Sequence, residues 1–133
     1  MTHDESVLMQ LCIAFVERID GGRAESVTDL FTPDGVLISA GERVAGEAAL
    51  RERFARRQNE AGLVTRHLLT NASFTLQDDA RATGRSLMTV FRRQGEDAAM
   101  QPPRVADVDD VYVRDASGRW RIAQRRIERV FGP

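Results

Sequence analysis

The stretch Leu63-Val64-Thr65-Arg66-His67-Leu68-Leu69-Thr70-Asn71-Ala72-Ser73-Phe74-Thr75-Leu76-Gln77 is where this chain changes character. Before it, apolar residues recur at steps of three and four, the period of a helix; from Leu63 onward they alternate, the period of a strand. Three further alternating runs follow, Ala82 to Arg93, Val105 to Arg114 and Arg119 to Val130. Asp78-Asp79 and Ala116-Ser117-Gly118 read as hairpin turns, and Gln94 to Arg104, with Gly95 and Pro102-Pro103, as a longer exposed connection. Helices segregated ahead of an antiparallel meander predict an α+β fold in which a curved sheet wraps the helices. The mouth of that cone would be a pocket.

Upstream, Val7, Leu8, Leu11, Cys12, Phe15 and Ile19 form one apolar stripe, so Thr2 to Asp20 is predicted helical. Thr2 with Glu5 is a capping box, and Gly21-Gly22 ends the helix. Asp20 is thus left at the C-terminal end, where the helix dipole disfavours a carboxylate and something else must hold it. A shorter helix is predicted over Ala24 to Leu30, then a turn at Thr32-Pro33-Asp34-Gly35 leading into an extended Val36 to Ser39. Gly41 and Gly46 bracket a short extended piece, and Glu47 to Gln58 reads as a helix burying Leu50 and Phe54.

The 133 residues make one domain, 1–133, with no repeat and no low-complexity linker. At this size roughly two-thirds of the unfolded chain's surface is buried, so neither disulfide nor structural metal is required. The formal net charge of -1 offers no field for nucleic acid or anionic lipid. All 19 basic residues are Arg. Without a Lys, Schiff-base, pyridoxal-dependent and Walker-type chemistries fail on inventory. One Cys, Cys12, and two His cannot assemble a usual zinc site. No basic leader with an apolar stretch and no membrane span is read, and the expected location is cytoplasmic.

The run Phe15 to Val36, with Ile19-Asp20-Gly21-Gly22 and Leu30-Phe31-Thr32-Pro33-Asp34-Gly35-Val36, resembles the opening of SnoaL-like proteins of the nuclear transport factor 2 (NTF2)-like superfamily. Thr65-Arg66-His67, with Asn71 four residues on, and the closing Gly118-Arg119-Trp120-Arg121-Ile122-Ala123-Gln124-Arg125-Arg126 extend the match over nearly the whole chain. The resemblance implies a cone-shaped α+β barrel of cystatin/NTF2-like type. It also implies an apolar pocket between helices and sheet, a homodimer through the outer sheet face, and no cofactor. The superfamily holds polyketide cyclases, dehydratases, ketosteroid isomerases, epoxide hydrolases and non-catalytic binders, so the site must carry the function.

His67 is the candidate base, since His3 lies near the terminus. In dehydratase-like members a His at this place works with an Asp ending the first helix, which Asp20 matches; the alternative is a histidine with a purely structural hydrogen bond. Parity leaves His67's orientation open. Val64, Leu68, Ala72, Phe74 and Leu76 share the more apolar face of the strand, and His67, Leu69 and Asn71 the other. A bulge between His67 and Phe74 would reconcile them, as would an apolar face given to a dimer; otherwise His67 meets solvent.

Asp110 is the second candidate base, sharing a face with Val108 and Tyr112, against an ion pair with Arg125 or Arg126. Asp107 and Asp109 read as a solvated rim, and no metal site is assigned. Asn71 and Tyr112 are candidate oxyanion donors, and Phe15, Phe54, Met88 and Trp120 core or pocket lining. Small Ala82, Gly84 and Ser86 leave room for a ligand or a helix, while Arg92 and Arg93 are expected in solvent. Ile19 stands where scytalone dehydratase has Tyr, and no His follows His67. The economical chemistry is therefore proton transfer next to a carbonyl of a small apolar, polyketide- or steroid-like substrate, giving dehydration, isomerisation or cyclisation. The rivals are a non-catalytic ligand-binding or dimerisation module and an epoxide hydrolase with an Asp-Arg-Asp relay.

Overall fold

A computed structural model describes residues 1–96 and 98–133. Helix α1 (His3–Asp20) starts from a reciprocal cap: Thr2 Oγ1 accepts the Glu5 N–H at 3.1 Å and the Thr2 N–H donates to Glu5 Oε2 at 3.2 Å. The segment Ala24–Leu30 is a 3-10 helix, and α2 spans Glu47–Gln58. The strands are β1 (Phe31–Ser39), β2 (Glu42–Ala45), β3 (Leu63–Leu76), β4 (Arg81–Gln94), β5 (Arg104–Arg114) and β6 (Trp120–Phe131). They form one sheet ordered β2-β1-β6-β5-β4-β3, antiparallel throughout except for β1 beside β6. The expected α+β architecture is what the chain adopts.

β1 departs from the expected turn. The strand enters already at Phe31, which pairs with Ile122, and rejoins the ladder at Val36 opposite Gln124. Thr32 to Gly35 therefore form a bulge inside the strand. Pro33 has no N–H for a ladder bond, and at Gly35 a Cβ would stand 2.9 Å from the Phe31 side chain. Ala40 and Gly41, with φ of 52° and 78°, make the tight hairpin into β2.

Curvature comes from register shifts in the long strands. On β3, Thr70 pairs with Leu87 but Ser73 with Arg85, so one residue is extra, and Asn71 sits there at φ 55°. Two more shifts lie between β5 and β6. α1 packs in the concavity against β3 and β6, with the 3-10 helix and α2 beside it. Leu8, Cys12 and Phe15 of α1, Leu50 and Phe54 of α2, and Val108 and Ile122 of the sheet are buried together. Phe15, Phe31 and Phe54 meet in a three-ring cluster, the Phe15 and Phe54 rings edge-on at 5.9 Å.

At Gly84 the room on β4 is taken by neighbouring rings rather than by a ligand or a helix. The Phe74 and Tyr112 rings close over Gly84 from the two neighbouring strands, 6.0 Å apart, and a Cβ at Gly84 would lie 2.8 Å from Phe74 Cδ1. No helix of the described residues is long and apolar enough to cross a membrane.

Candidate active site

The bulge at Asn71 settles the orientation of His67. Leu63, Thr65, His67 and Leu69 face inward ahead of it, and Ala72 and Phe74 face inward after it. Val64 and Leu68 are left on the outer face, exposed by 39% and 51%. His67 lines a cavity of about 800 Å³ between sheet and helices, within the range that takes a drug-sized ligand. Phe15, Ile19, Leu37, Phe54, Met88 and Ile127 give it an apolar floor.

Asp20 reaches His67 from the end of α1. Its Oδ1 lies 2.6 Å from His67 Nδ1 and accepts the Thr65 hydroxyl at 2.8 Å, and its Oδ2 accepts the His67 main-chain N–H at 2.8 Å. Thr65 Oγ1 in turn accepts Arg57 Nη2 at 2.9 Å. Three donors thus replace the helix-end solvation that the dipole makes unfavourable for Asp20. A carboxylate only accepts, so the proton between them sits on Nδ1, and the lone pair of Nε2 is left for the cavity. Side-chain exposures of 12% and 13% keep the His67 and Asp20 groups mostly out of water. Thr65 and Arg57 were not singled out from the sequence; the available signal was parity, since Thr65 precedes His67 by two on the same face.

The other candidates divide between the cavity and places outside it. Phe15, Phe54 and Met88 line the cavity; Asn71 is exposed in the bulge. Trp120 packs at a separate hollow, its Nε1 donating to Asp4 at 3.1 Å while Arg114 bridges to the same carboxylate and stacks on the indole. Asp110 and Tyr112 are buried deeper, outside the cavity wall. Arg125 Nε and Nη2 each donate to Asp110 at 2.8 Å, and the Tyr112 hydroxyl donates to Asp110 Oδ2 at 2.6 Å. Cys12 Sγ lies 3.1 Å from the Tyr112 oxygen and 3.3 Å from Arg125 Nη2. Burial opposes the charge of Arg125, but the Asp110 carboxylate outweighs it and holds the guanidinium above its ordinary value. Burial likewise pushes the Tyr112 phenol and the Cys12 thiol up. With both oxygens engaged in the dark, Asp110 occupies the ion-pair role rather than that of a base, and Tyr112 is no oxyanion donor for this cavity.

Arg92 also differs from expectation. It lines the cavity instead of meeting solvent, together with Arg53, Arg56, Arg57, Arg104 and Arg129. Asp107 and Asp109 are exposed on the outer face, Asp109 lying 3.4 Å from Arg85. No group of three potential metal ligands occurs among the described residues.

A curved sheet closing over helices around a His-lined cavity defines an NTF2-like protein of cystatin-like fold. The sequence model for the SnoaL-like domain matches residues 1–126, and the chain belongs to that family. Among solved structures, a candidate scytalone dehydratase from Novosphingobium aromaticivorans superposes with a TM-score of 0.86 at 14% identity, covering 98% of this chain and 86% of that one. An NTF2-like protein with a cystatin-like fold from the same organism gives 0.79 at 22%, covering 98% and 84%. A Catenulispora acidiphila protein in complex with S-DNPA gives 0.76 at 24%, covering 93% and 91%. No curated protein matches the chain in sequence.

Proposed function

We propose that this SnoaL-like protein is a cofactor-independent acid-base enzyme that moves a proton next to a carbonyl of a small, largely apolar molecule. The 2.6 Å contact between His67 Nδ1 and Asp20 Oδ1 at the cavity wall carries this reading. Nε2 of His67 takes the proton from the carbon beside the carbonyl, the C–H electron pair becoming the enolate. Asp20 offsets the charge of the resulting imidazolium and keeps the ring in one tautomer. Arg57, tied to the pair through Thr65, takes the oxyanion-stabilising part first assigned to Asn71 or Tyr112. Return of the proton at another carbon gives isomerisation, its delivery to a β-hydroxyl that leaves as water gives dehydration, and attack of the enolate on a second carbonyl, whose oxygen then takes the proton, gives cyclisation.

Two neighbours support the reading in part: one is described as a candidate scytalone dehydratase, and another holds a small molecule. In a non-catalytic binder the same contacts would only anchor the end of α1 to β3, and deuterium exchange separates the two. An epoxide-hydrolase relay is disfavoured because the tight Asp110–Arg125 pair lies outside the cavity. The working unit is proposed to be a homodimer formed through the outer sheet face that carries Val64 and Leu68.

The test is deuterium wash-in at the α-carbon of a cyclic aromatic ketone such as 2-tetralone in heavy water, followed by NMR. The wild type is expected to accelerate exchange, and His67→Gln to lose about a hundredfold or more of that acceleration. Equal rates for the two proteins would reduce the site to a ligand pocket.

A further inference from the structure

Three arginines stand out at the rim of the cavity. Arg92 on β4, Arg104 on β5 and Arg129 on β6 occupy neighbouring strands and all line it. Although the whole chain is almost neutral, the lining holds six arginines against three glutamates, Glu42, Glu60 and Glu128. No carboxylate among the described residues lies within 4.0 Å of Arg92, Arg104 or Arg129. The Nε atoms of Arg92 and Arg104 are buried and lack a partner.

We propose that Arg92, Arg104 and Arg129 form an oxyanion site, which holds a carboxylate or phosphate borne by the ligand whose apolar body lies against Phe15, Phe54 and Met88. The proposal rests on reading this cavity as the substrate site, and it names the substrate class. Grouped like charges with buried unpaired donors destabilise a protein unless an anion joins them. Burial first, then the charges of Arg92 and Arg129, make the proton on Arg104 easier to lose than usual, as expected of a guanidinium lacking its counter-ion. The planar fork of a guanidinium matches the two oxygens of a carboxylate or phosphate.

The register places the base and one arm of the anion site in one row: His67 pairs with Val90 and Val90 with Arg104. Two strand spacings, about 10 Å, separate their backbones. A substrate that fills both places carries its acidic head on the far side of a ring system from the carbon that loses a proton.

Calorimetry with 2-naphthoate, 2-naphthyl phosphate and uncharged 2-naphthamide tests this. At least one anion is expected to bind tenfold or more tightly than the amide, and the better of the two identifies the head group. Arg92→Gln and Arg104→Gln should each cut that preference severalfold, and added sodium chloride should erode it in the wild type. Equal binding of all three probes, or a preference untouched by salt and by both variants, would overturn the proposal. Should either variant fail to fold, the wild-type salt dependence and the probe comparison decide alone. His67→Gln is expected to keep the anion preference while losing deuterium exchange. A wild type that exchanges deuterium but shows no anion preference would therefore refute only the rim site, and a wild type with the preference but no exchange would refute only the proton-transfer chemistry.

Discussion

Asp20 is a residue in an unfavourable place with compensating partners. Its contacts to Thr65 and to the ring and main chain of His67 tie the end of α1 to β3. Asp20→Asn keeps the shape but presents an amide that can donate toward Nδ1, which would leave the ring proton on Nε2. Deuterium exchange is then expected to fall at least tenfold with little change in probe binding, as NMR and calorimetry on the same sample would show. Thr65→Val removes the link to Arg57 and should cost about 1 kcal/mol in urea unfolding. The residues alone showed a lone imidazole and a helix-end carboxylate in want of a partner, and the His67–Asp20 pairing was legible through the resemblance to dehydratase-like SnoaL proteins. Thr65 and Arg57 were not, because a hydroxyl and one arginine among 19 carry no signal until the fold brings them together.

At the scale of elements, the join between α1, β5 and β6 depends on a buried charge network. Arg125 is fully buried against Asp110, with its guanidinium 4.3 Å from the Phe15 ring centroid. Arg125→Met strands the Asp110 carboxylate and should destabilise the protein by about 3–5 kcal/mol in urea. The raised Tyr112 and Cys12 groups set an alkaline limit. Their contribution is complete below the unfolded thiol and phenol values, about 8.5 and 10, and is lost as pH rises beyond them. Urea midpoints should therefore drop from pH 8 to pH 11, and Tyr112→Phe should flatten the upper part of that drop. Gly84 is a packing constraint on β4. Gly84→Ala is expected to cost about 1–3 kcal/mol, and less when Phe74 is first shortened to Leu, which a double-mutant cycle would measure. The sequence offered Asp110–Arg125 as one of two alternatives, and only burial decided between them. Gly84 read as empty space because cross-strand partners are invisible to a single strand's pattern.

For the whole molecule, alternation and caps were enough to place both helices and the four long strands within a residue or two. The parallel join of β1 to β6 was beyond reach, since pairing between distant segments leaves no local trace. The same holds for the charged rim: Met88, Val90 and Arg92 share a parity, yet nothing in the pattern says that the apolar floor ends where the arginine begins. Outside the cone, Leu68 is half exposed on a broad sheet face, and Leu68→Arg is expected to convert the proposed dimer to monomers in sedimentation velocity without loss of fold. A protein already monomeric as wild type would remove that assembly.

The extra residue at Asn71 has a consequence for how the gene can change. Upstream of it the odd positions look into the cone, and downstream the even ones do. Excising any single position between Thr70 and Ser73 would bring the two halves of β3 into one unbroken alternation, with His67 and Phe74 still on the inner face. What the chain would lose is the kink, so a deletion there should flatten the cone while leaving its lining in place.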